Sequence, residues 1–464
     1  MDVELVLGMS GTVDYEVRWD ASAIESLARP FEISVAELDV ATPVTDLRSL
    51  LVSILSFLRD GGGGERSARS ATVLEELAAR LPGRATLGGT GVRAALAMDV
   101  VGVPSTVHLV ALDDTARGLL PARVSAITAV ADEPLVPHVI VQFPRGASVR
   151  VADGVVSAPR SNRIIYVNDR PNRELPLSAE LDDLVSRADV LLISGVNAIV
   201  DDGLLADRVA RLTALARAAD GLVVFEDAGY HEPAFGVRVR DALAPVVDVY
   251  GLNEDELFGY LGASVDLLDA DAVEDALRRA EELIPASCLV VHTRHWAAAV
   301  GERATEYAAA LRGGAVMATT RYVHGDAMTA DDYRRTAQAP PQAASVAFAA
   351  ELERRGAGRI VCVPAFDVDT DSPTTVGLGD SFVGGFIAVL ARRAAAGAAG
   401  ADAVGSGVAG ADDVPRAAGA AVGGSHAESD VVDPSAGPEA AAGPAAVGPL
   451  EPAGSGAGAE RSPR

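Results

Sequence analysis

The stretch Thr374-Thr375-Val376-Gly377-Leu378-Gly379-Asp380-Ser381-Phe382 joins an apolar run, RIVCVP (359–364), to a helical pattern, SFVGGFIAVLARR. Two glycines permit a tight turn that opens a helix, so the backbone N–H groups of Gly377, Leu378 and Gly379 can converge on an anion. Those donors are main-chain and the helix dipole favours negative charge, so this anion hole needs no cationic side chain. Asp380, in the first turn, stands beside the anion as a base for an attacking hydroxyl. An Asp after a Gly turn is also an ordinary helix start; the strand–turn–helix context and the preceding Thr375-Val376 favour the chemical reading. A second constellation, Leu252-Asn253-Glu254-Asp255-Glu256-Leu257, follows the run VVDVY. Asn253 and Glu256 share one face of a starting helix, where a carboxylate can orient waters on Mg²⁺. The plainer alternative is an acidic helix start.

Short β-branched runs and amphipathic segments must position these residues. VELVLG (3–8), TVHLVAL (106–112), HVIVQF (138–143), RIIYVN (163–168), VLLISG (190–195), LVVFED (222–227), VVDVYGLN (246–253), CLVVHT (288–293) and RIVCVP read as strands. From about residue 190 the order is β-α-β-α-β, with apolar strands short enough to be covered on both faces. That pattern predicts an α/β fold with a mainly parallel sheet between helices, and ligands beyond the strands' carboxyl ends. The first half is less regular and has room for a smaller second domain. The segment 394–464 has no aromatic residue and is rich in Ala, Gly, Pro and acids, so it is expected to be a disordered tail.

Composition narrows the chemistry. The 464 residues carry 65 Asp and Glu against 39 basic residues, a net charge of -26, and every basic residue is Arg. Without lysine there is no P-loop lysine, no protein-kinase strand lysine and no Schiff base. The negative field disfavours nucleic acid and anionic membranes, leaving small molecules as partners. Cys288 and Cys362 lie in apolar runs and are expected to be reduced core thiols. The N-terminus lacks a signal-peptide pattern and no apolar run spans a bilayer, so a cytoplasmic protein is expected, as a monomer or small homo-oligomer. The acid excess without lysine fits a high-salt, halophilic cytoplasm.

The chain resembles the ribokinase-like superfamily, and within it the archaeal ADP-dependent glucokinases and phosphofructokinases. TVGLGD (375–380) is similar to that branch's GxGD motif, and Asn253 to Glu256 to its Asn-x-x-Glu motif. Leu87-Gly88-Gly89-Thr90-Gly91 resembles the Gly-Gly turn at the sugar site. Arg163-Ile164-Ile165 through Asn172 resembles the Arg-containing stretch after the lid segment, and Leu192 to Gly195 and Val291 to Thr293 resemble two strand ends. The resemblance spans about residues 3 to 393. It implies a ribokinase-like three-layer sandwich with a mainly parallel central sheet, plus a smaller α/β lid built from the N-terminal half, together forming one kinase unit over residues 1–393. It further implies transfer of the terminal phosphoryl of Mg-ADP to glucose or fructose 6-phosphate. Asp380 would be the base, Gly377, Leu378 and Gly379 the anion hole, and Glu256 and Glu226 the residues holding Mg²⁺ through water. Asn253, Thr375, Val376 and Arg163 would lie along the nucleotide, and Asp14, Gly88, Gly89 and Glu65 along the sugar.

Four departures stand against the family pattern. Val224 occupies the His position of His-x-Glu, with Glu226 retained. Thr12 stands for the Asn of Asn-x-Asp, with Asp14 retained. Thr90 stands for a Gln, and Val92-Arg93-Ala94-Ala95 lacks an expected Asn. Glu65, in GGGGERS, corresponds to the lid Glu that favours glucose, whereas a sugar phosphate would call on Arg163, Arg170, Arg173 or Arg294. An ATP-dependent carbohydrate or nucleoside kinase, or a catalytically weakened sensor of sugar or nucleotide, remains open from sequence.

Overall fold

The computed structural model describes residues 3–131, 135–230, 232–370 and 373–405. Its larger sheet has nine strands, in the order Ile360–Pro364, Trp296–Val300, Leu289–His292, Val249–Asn253, Leu222–Glu226, Val190–Ile193, Leu5–Gly8, Ser105–Leu109 and Val124–Thr128. From Leu289–His292 to Val124–Thr128 every pairing is parallel; the two pairings on the other side of Leu289–His292 are antiparallel. In Leu5–Gly8, Val190–Ile193 and Leu289–His292 all four residues are buried. Successive strand residues face opposite ways, so unbroken burial means that both faces are covered. Helices Thr90–Val100, Ala308–His324 and Leu378–Gly405 pack together, as do Asp202–Ala218 with Pro233–Leu243 and Ala270–Leu283 with Ala343–Arg355.

A second sheet of five strands runs Gly64–Ser67, Asn162–Val167, His138–Phe143, Thr12–Val17 and Gly83–Gly88. It has its own core, in which Leu50, Leu51, Ile54 and Leu58 of helix Leu47–Asp60 meet Val139, Val141, Ile164 and Tyr166. The Tyr166 hydroxyl donates to Ser53 Oγ at 2.9 Å, so the ring buries its polar tip without an unmet hydrogen bond. Thr12–Val17 and Gly83–Gly88 carry too much mixed polarity to stand out as strands in the sequence, yet they pair with each other in this sheet.

The chain crosses from the large sheet to the small one at Met9–Gly11. There Met9 N–H donates to Ser194 O, and Asn172 Nδ2 donates to Gly11 O. His108 pins the crossing from below. Its Nε2 accepts from Ser178 N–H at 3.0 Å and its Nδ1 faces Met9 O at 3.2 Å, which fixes the neutral tautomer with the proton on Nδ1. Burial pulls its pKa down to about 4. The unfolded chain binds this proton from about pH 6.5 downward. The stability gained from the neutral ring is therefore full above that pH and is lost as pH falls toward 4, by on the order of 2 to 3 kcal/mol. Denaturant melts at pH 7 and 4.5 should show a smaller acid loss for His108→Gln than for the native chain; parallel curves would rule this out.

One expectation changes in the last helix. Leu378–Gly405 continues past Arg393 into the segment expected to be disordered from Ala394, because the alanines that follow are the best helix formers and need no packing partner to extend an anchored helix. The rest of the expected tail, 406–464, lies outside the described residues. Among the described residues no helix is long and apolar enough to cross a membrane, and Cys288 and Cys362 are buried free thiols.

Candidate active site

Gly377 ends the approach to the last helix with φ +70°, a left-handed conformation that a side chain disfavours. Its carbonyl accepts from Ser381 N–H at 3.0 Å and from Ser381 Oγ at 2.8 Å, closing the first turn. Among the described residues the N–H groups of Gly377, Leu378 and Gly379 have no acceptor, as the first donors of a helix require an outside partner. Three arginines ring this turn. Arg321 Nε donates to Val376 O at 2.8 Å, Arg163 Nη1 donates to Thr375 Oγ1 at 3.3 Å, and the Arg93 side chain lies directly beneath Gly377. Arg163 comes from the small sheet, so its bond to Thr375 links the two sheets at the turn. Burial and the nearby Arg93 charge hold its pKa below the usual arginine range.

Asp380 follows in the first turn with its side chain 24 % exposed. Arg93 connects it to Asp14 of the small sheet: Nη2 donates to Asp14 Oδ2 at 2.8 Å, and Nε lies 3.9 Å from Asp380 Oδ2. Asp14 Oδ1 accepts from Thr12 Oγ1 at 2.8 Å. Each carboxylate oxygen still has a lone pair for a ligand hydroxyl. Gly88 faces this pair across the strands, and a Cβ there would lie 2.2 Å from Thr12 Oγ1 and 2.5 Å from Asp14 Oδ2. Gly89, at φ +90°, turns the chain into helix Thr90–Val100, which carries Arg93.

Above Asp14 sits His138, with Nε2 2.9 Å from Asp169 Oδ2 and Nδ1 3.9 Å from Asp14 Oδ1. Burial opposes its charge, but Asp169, Asp14 and Glu65 together raise its pKa. Glu65 is exposed on edge strand Gly64–Ser67 and bears on the site through this field.

On the other side of the turn, Glu226 ends its strand and its Oε1 bonds to His292 Nε2 at 2.8 Å. His292 stacks on Phe382 with ring centroids 4.7 Å apart, and its Cε1 would lie 3.3 Å from a Cβ at Gly379. Glu226 thus has an imidazole partner on another strand, Leu289–His292. Asn253 and Glu256 form a reciprocal helix cap: Asn253 Oδ1 accepts from Asp255 and Glu256 N–H, and Glu256 Oε2 accepts from Asn253 N–H at 2.8 Å. The plain helix-start reading therefore holds for both side chains, and it leaves Glu256 in the site. Burial, with Glu226 and Asp227 close by, pushes the Glu256 pKa up to about 8.

Among the described residues no three His, Cys, Asp or Glu are arranged to grip a metal ion directly. Crowded carboxylates at strand ends do suit a hydrated divalent cation reached through its waters. Gly251 leaves the room this requires, since a Cβ there would lie 2.1 Å from Glu226 Oε2.

Of the residues singled out from sequence, Thr375, Val376, Arg163 and Asp380 meet at the glycine turn, Asp14 with Gly88 reaches it through Arg93, and Glu226, with Glu256 near it, reaches it through His292; Asn253 caps its own helix, and Glu65 acts only through the field on His138. Sequence reasoning missed Arg93, Arg321, His138, Asp169 and His292. Only His292, a lone imidazole ending a strand of the parallel sheet, carried a signal by position.

Residues 4–387 match the conserved region described as ADP-specific phosphofructokinase/glucokinase. No curated protein matches the sequence. The structure is similar to that of a hypothetical ADP-dependent phosphofructokinase from Pyrococcus horikoshii OT3, with a TM-score of 0.72 and 16 % identity over 85 % of this chain and 99 % of that one. It is also similar to a last common ancestor of ADP-dependent phosphofructokinases from Methanosarcinales (TM-score 0.67, 16 % identity, 84 % and 94 % covered). An ADP-dependent kinase solved with fructose 6-phosphate and ADPβS is similar as well (0.61, 15 % identity, 84 % and 94 % covered). At these identities the structures establish the α/β fold with its large, mainly parallel sheet, and the match over residues 4–387 establishes the rest: the chain belongs to the ADP-specific phosphofructokinase/glucokinase family of sugar-kinase phosphotransferases.

Proposed function

We propose that the chain transfers the terminal phosphoryl of Mg-ADP to a hydroxyl of a neutral hexose of the glucose class, leaving AMP. The observation that carries this reading is Asp380 in the first turn of a helix whose leading N–H groups are open, tied through Arg93 to Asp14. The amides of Gly377, Leu378 and Gly379 receive the phosphoryl oxygens, while Asp380 takes the proton of the attacking hydroxyl. Asp14, with the close backbone of Gly88 and Gly89, orients the sugar. Arg163, Thr375, Val376 and Asn253 border the nucleotide. Mg²⁺, when bound, neutralises phosphate charge, and Glu226 and Glu256 are the residues that would hold it through water. Movement of the small sheet over the site, as a lid, would exclude water as a competing acceptor.

The acceptor assignment rests on charge. The small-sheet side of the site presents Asp14, Asp169 and Glu65 around one histidine, which suits hydroxyl donors and repels a sugar phosphate. Of the four arginines a phosphate would call on, Arg163 donates to Thr375 Oγ1 on the nucleotide side, Arg170 pairs with Glu174, Arg173 donates to Asp169 O and Arg294 contacts His295. Steady-state rates with Mg-ADP and either glucose or fructose 6-phosphate test this. A kcat/KM at least about tenfold higher for glucose is expected, a modest discrimination for one repelled charge. Turnover of fructose 6-phosphate alone would overturn the acceptor and leave the phosphoryl transfer standing.

A further inference from the structure

Arg93 has no counterpart among the motif residues that led to the site. It replaces part of an expected asparagine-bearing stretch, yet it occupies the centre. Its side chain is 5 % exposed, and its one hydrogen bond among the described residues goes to Asp14. A guanidinium carries five N–H donors, and none of the Arg93 nitrogens is among the fully buried polar atoms without a partner, so its free donors open onto the site, where a ligand can reach them. The idle donors are well aimed. Nε lies on the Asp380 side, 3.9 Å from Oδ2, and Nη1 would lie 3.2 Å from a Cβ at Gly377, beside the open amides. Arg321 is not equivalent, because its Nε and Nη1 are taken by Val376 O and Asp326.

We propose that Arg93 is a catalytic residue that contacts the phosphoryl group in transfer and the acceptor oxygen attacking it, from the side opposite the nucleotide. The inference rests on the phosphoryl-transfer reading above. In that step the acceptor O–H gives its proton to Asp380, and a bond forms from the acceptor oxygen to the terminal phosphorus of ADP. The bond from that phosphorus to its bridging oxygen breaks, and AMP leaves with the electron pair. Arg93 forms no covalent bond. Its planar fork holds Asp14 with one edge and places fixed positive charge where the phosphoryl oxygens pass, a role that a main-chain anion hole alone fills from one side only.

Arg93→Gln keeps an amide donor for Asp14 and removes the charge; Arg93→Lys keeps the charge and removes the fork. With Mg-ADP and glucose, the Gln variant is expected to lose about 100- to 1,000-fold in kcat, with KM for sugar and ADP within about threefold of native. The Lys variant should recover about tenfold over Gln and stay about tenfold or more below native. Thermal melts of both accompany the kinetics. A native kcat in the Gln variant, or a loss confined to KM or to the melting temperature, would overturn the proposal and leave Arg93 as a structural partner of Asp14. If the Gln variant does not fold, the Lys variant decides: a kcat reduced about tenfold or more supports the fork, and a native kcat overturns it. An inactive native chain would overturn the phosphoryl-transfer reading itself, an outcome distinct from an active chain that ignores substitution at Arg93.

Discussion

Replacing Asp380 with asparagine is expected to lower kcat by at least about 10²- to 10⁴-fold, the range a positioned general base contributes. Asparagine has the same size and shape, so helix Leu378–Gly405 and its first turn should stand. What disappears is the proton acceptor. The amides of Gly377 to Gly379 and the side chains of Arg163 and Thr375 are untouched, so ADP should bind within a few-fold of its native affinity by calorimetry. Removing the carboxylate also frees Arg93 of one of its acidic neighbours, which strengthens rather than weakens its hold on a phosphate. Unchanged turnover in the Asn variant would remove Asp380 from the chemistry.

Gly377→Ala is expected to damage the same step from the other side. At φ +70° an alanine is strained by about 1 kcal/mol. Its Cβ would also meet Arg93 Cδ at 2.9 Å and Arg321 Nε at 3.3 Å. Both arginines are buried and tied, Arg93 to Asp14 and Arg321 to Val376 O and Asp326, so the turn must shift. A shift of the turn re-aims the open N–H groups, and misaligning one such donor costs about 10²- to 10³-fold in rate. Kinetics beside a thermal melt separate the two effects: kcat should fall by about that factor while the melting temperature drops by only a few degrees. A native kcat in the alanine variant would mean that the anion is not held at this turn.

What could be read from sequence is what the chain builds locally. The turn at Gly377–Asp380 and the cap at Asn253–Glu256 are set by residues within four positions of one another, and the caps of a helix are written beside it. Seven of the nine strands of the large sheet were legible as apolar runs; Val124–Thr128, at the edge and only partly buried, and Trp296–Val300, which is largely alanine, were not. The contacts that complete the site are not local. Arg93 meets Asp14 across 79 positions, and Glu226 meets His292 across 66. Arg84 reaches Asp326 across 242 positions, linking the small sheet to Arg321 and so to the turn. No periodicity announces such pairs. Thr12–Val17 mixes buried and half-buried residues, so its strand and its role in carrying Asp14 emerge only once Gly83–Gly88 lies beside it. The His292 partner of Glu226 likewise comes from another strand, which nothing beside Glu226 in the sequence announces.

The most direct measurement follows phosphorus itself. The full chain is incubated with ADP, Mg²⁺ and glucose, in dilute and in molar-salt buffer, and ³¹P NMR monitors the nucleotide and sugar resonances. One AMP and one hexose phosphate should appear for each ADP consumed. No AMP in either buffer with glucose or fructose 6-phosphate, or hexose phosphate formed only when ATP replaces ADP, would contradict the account.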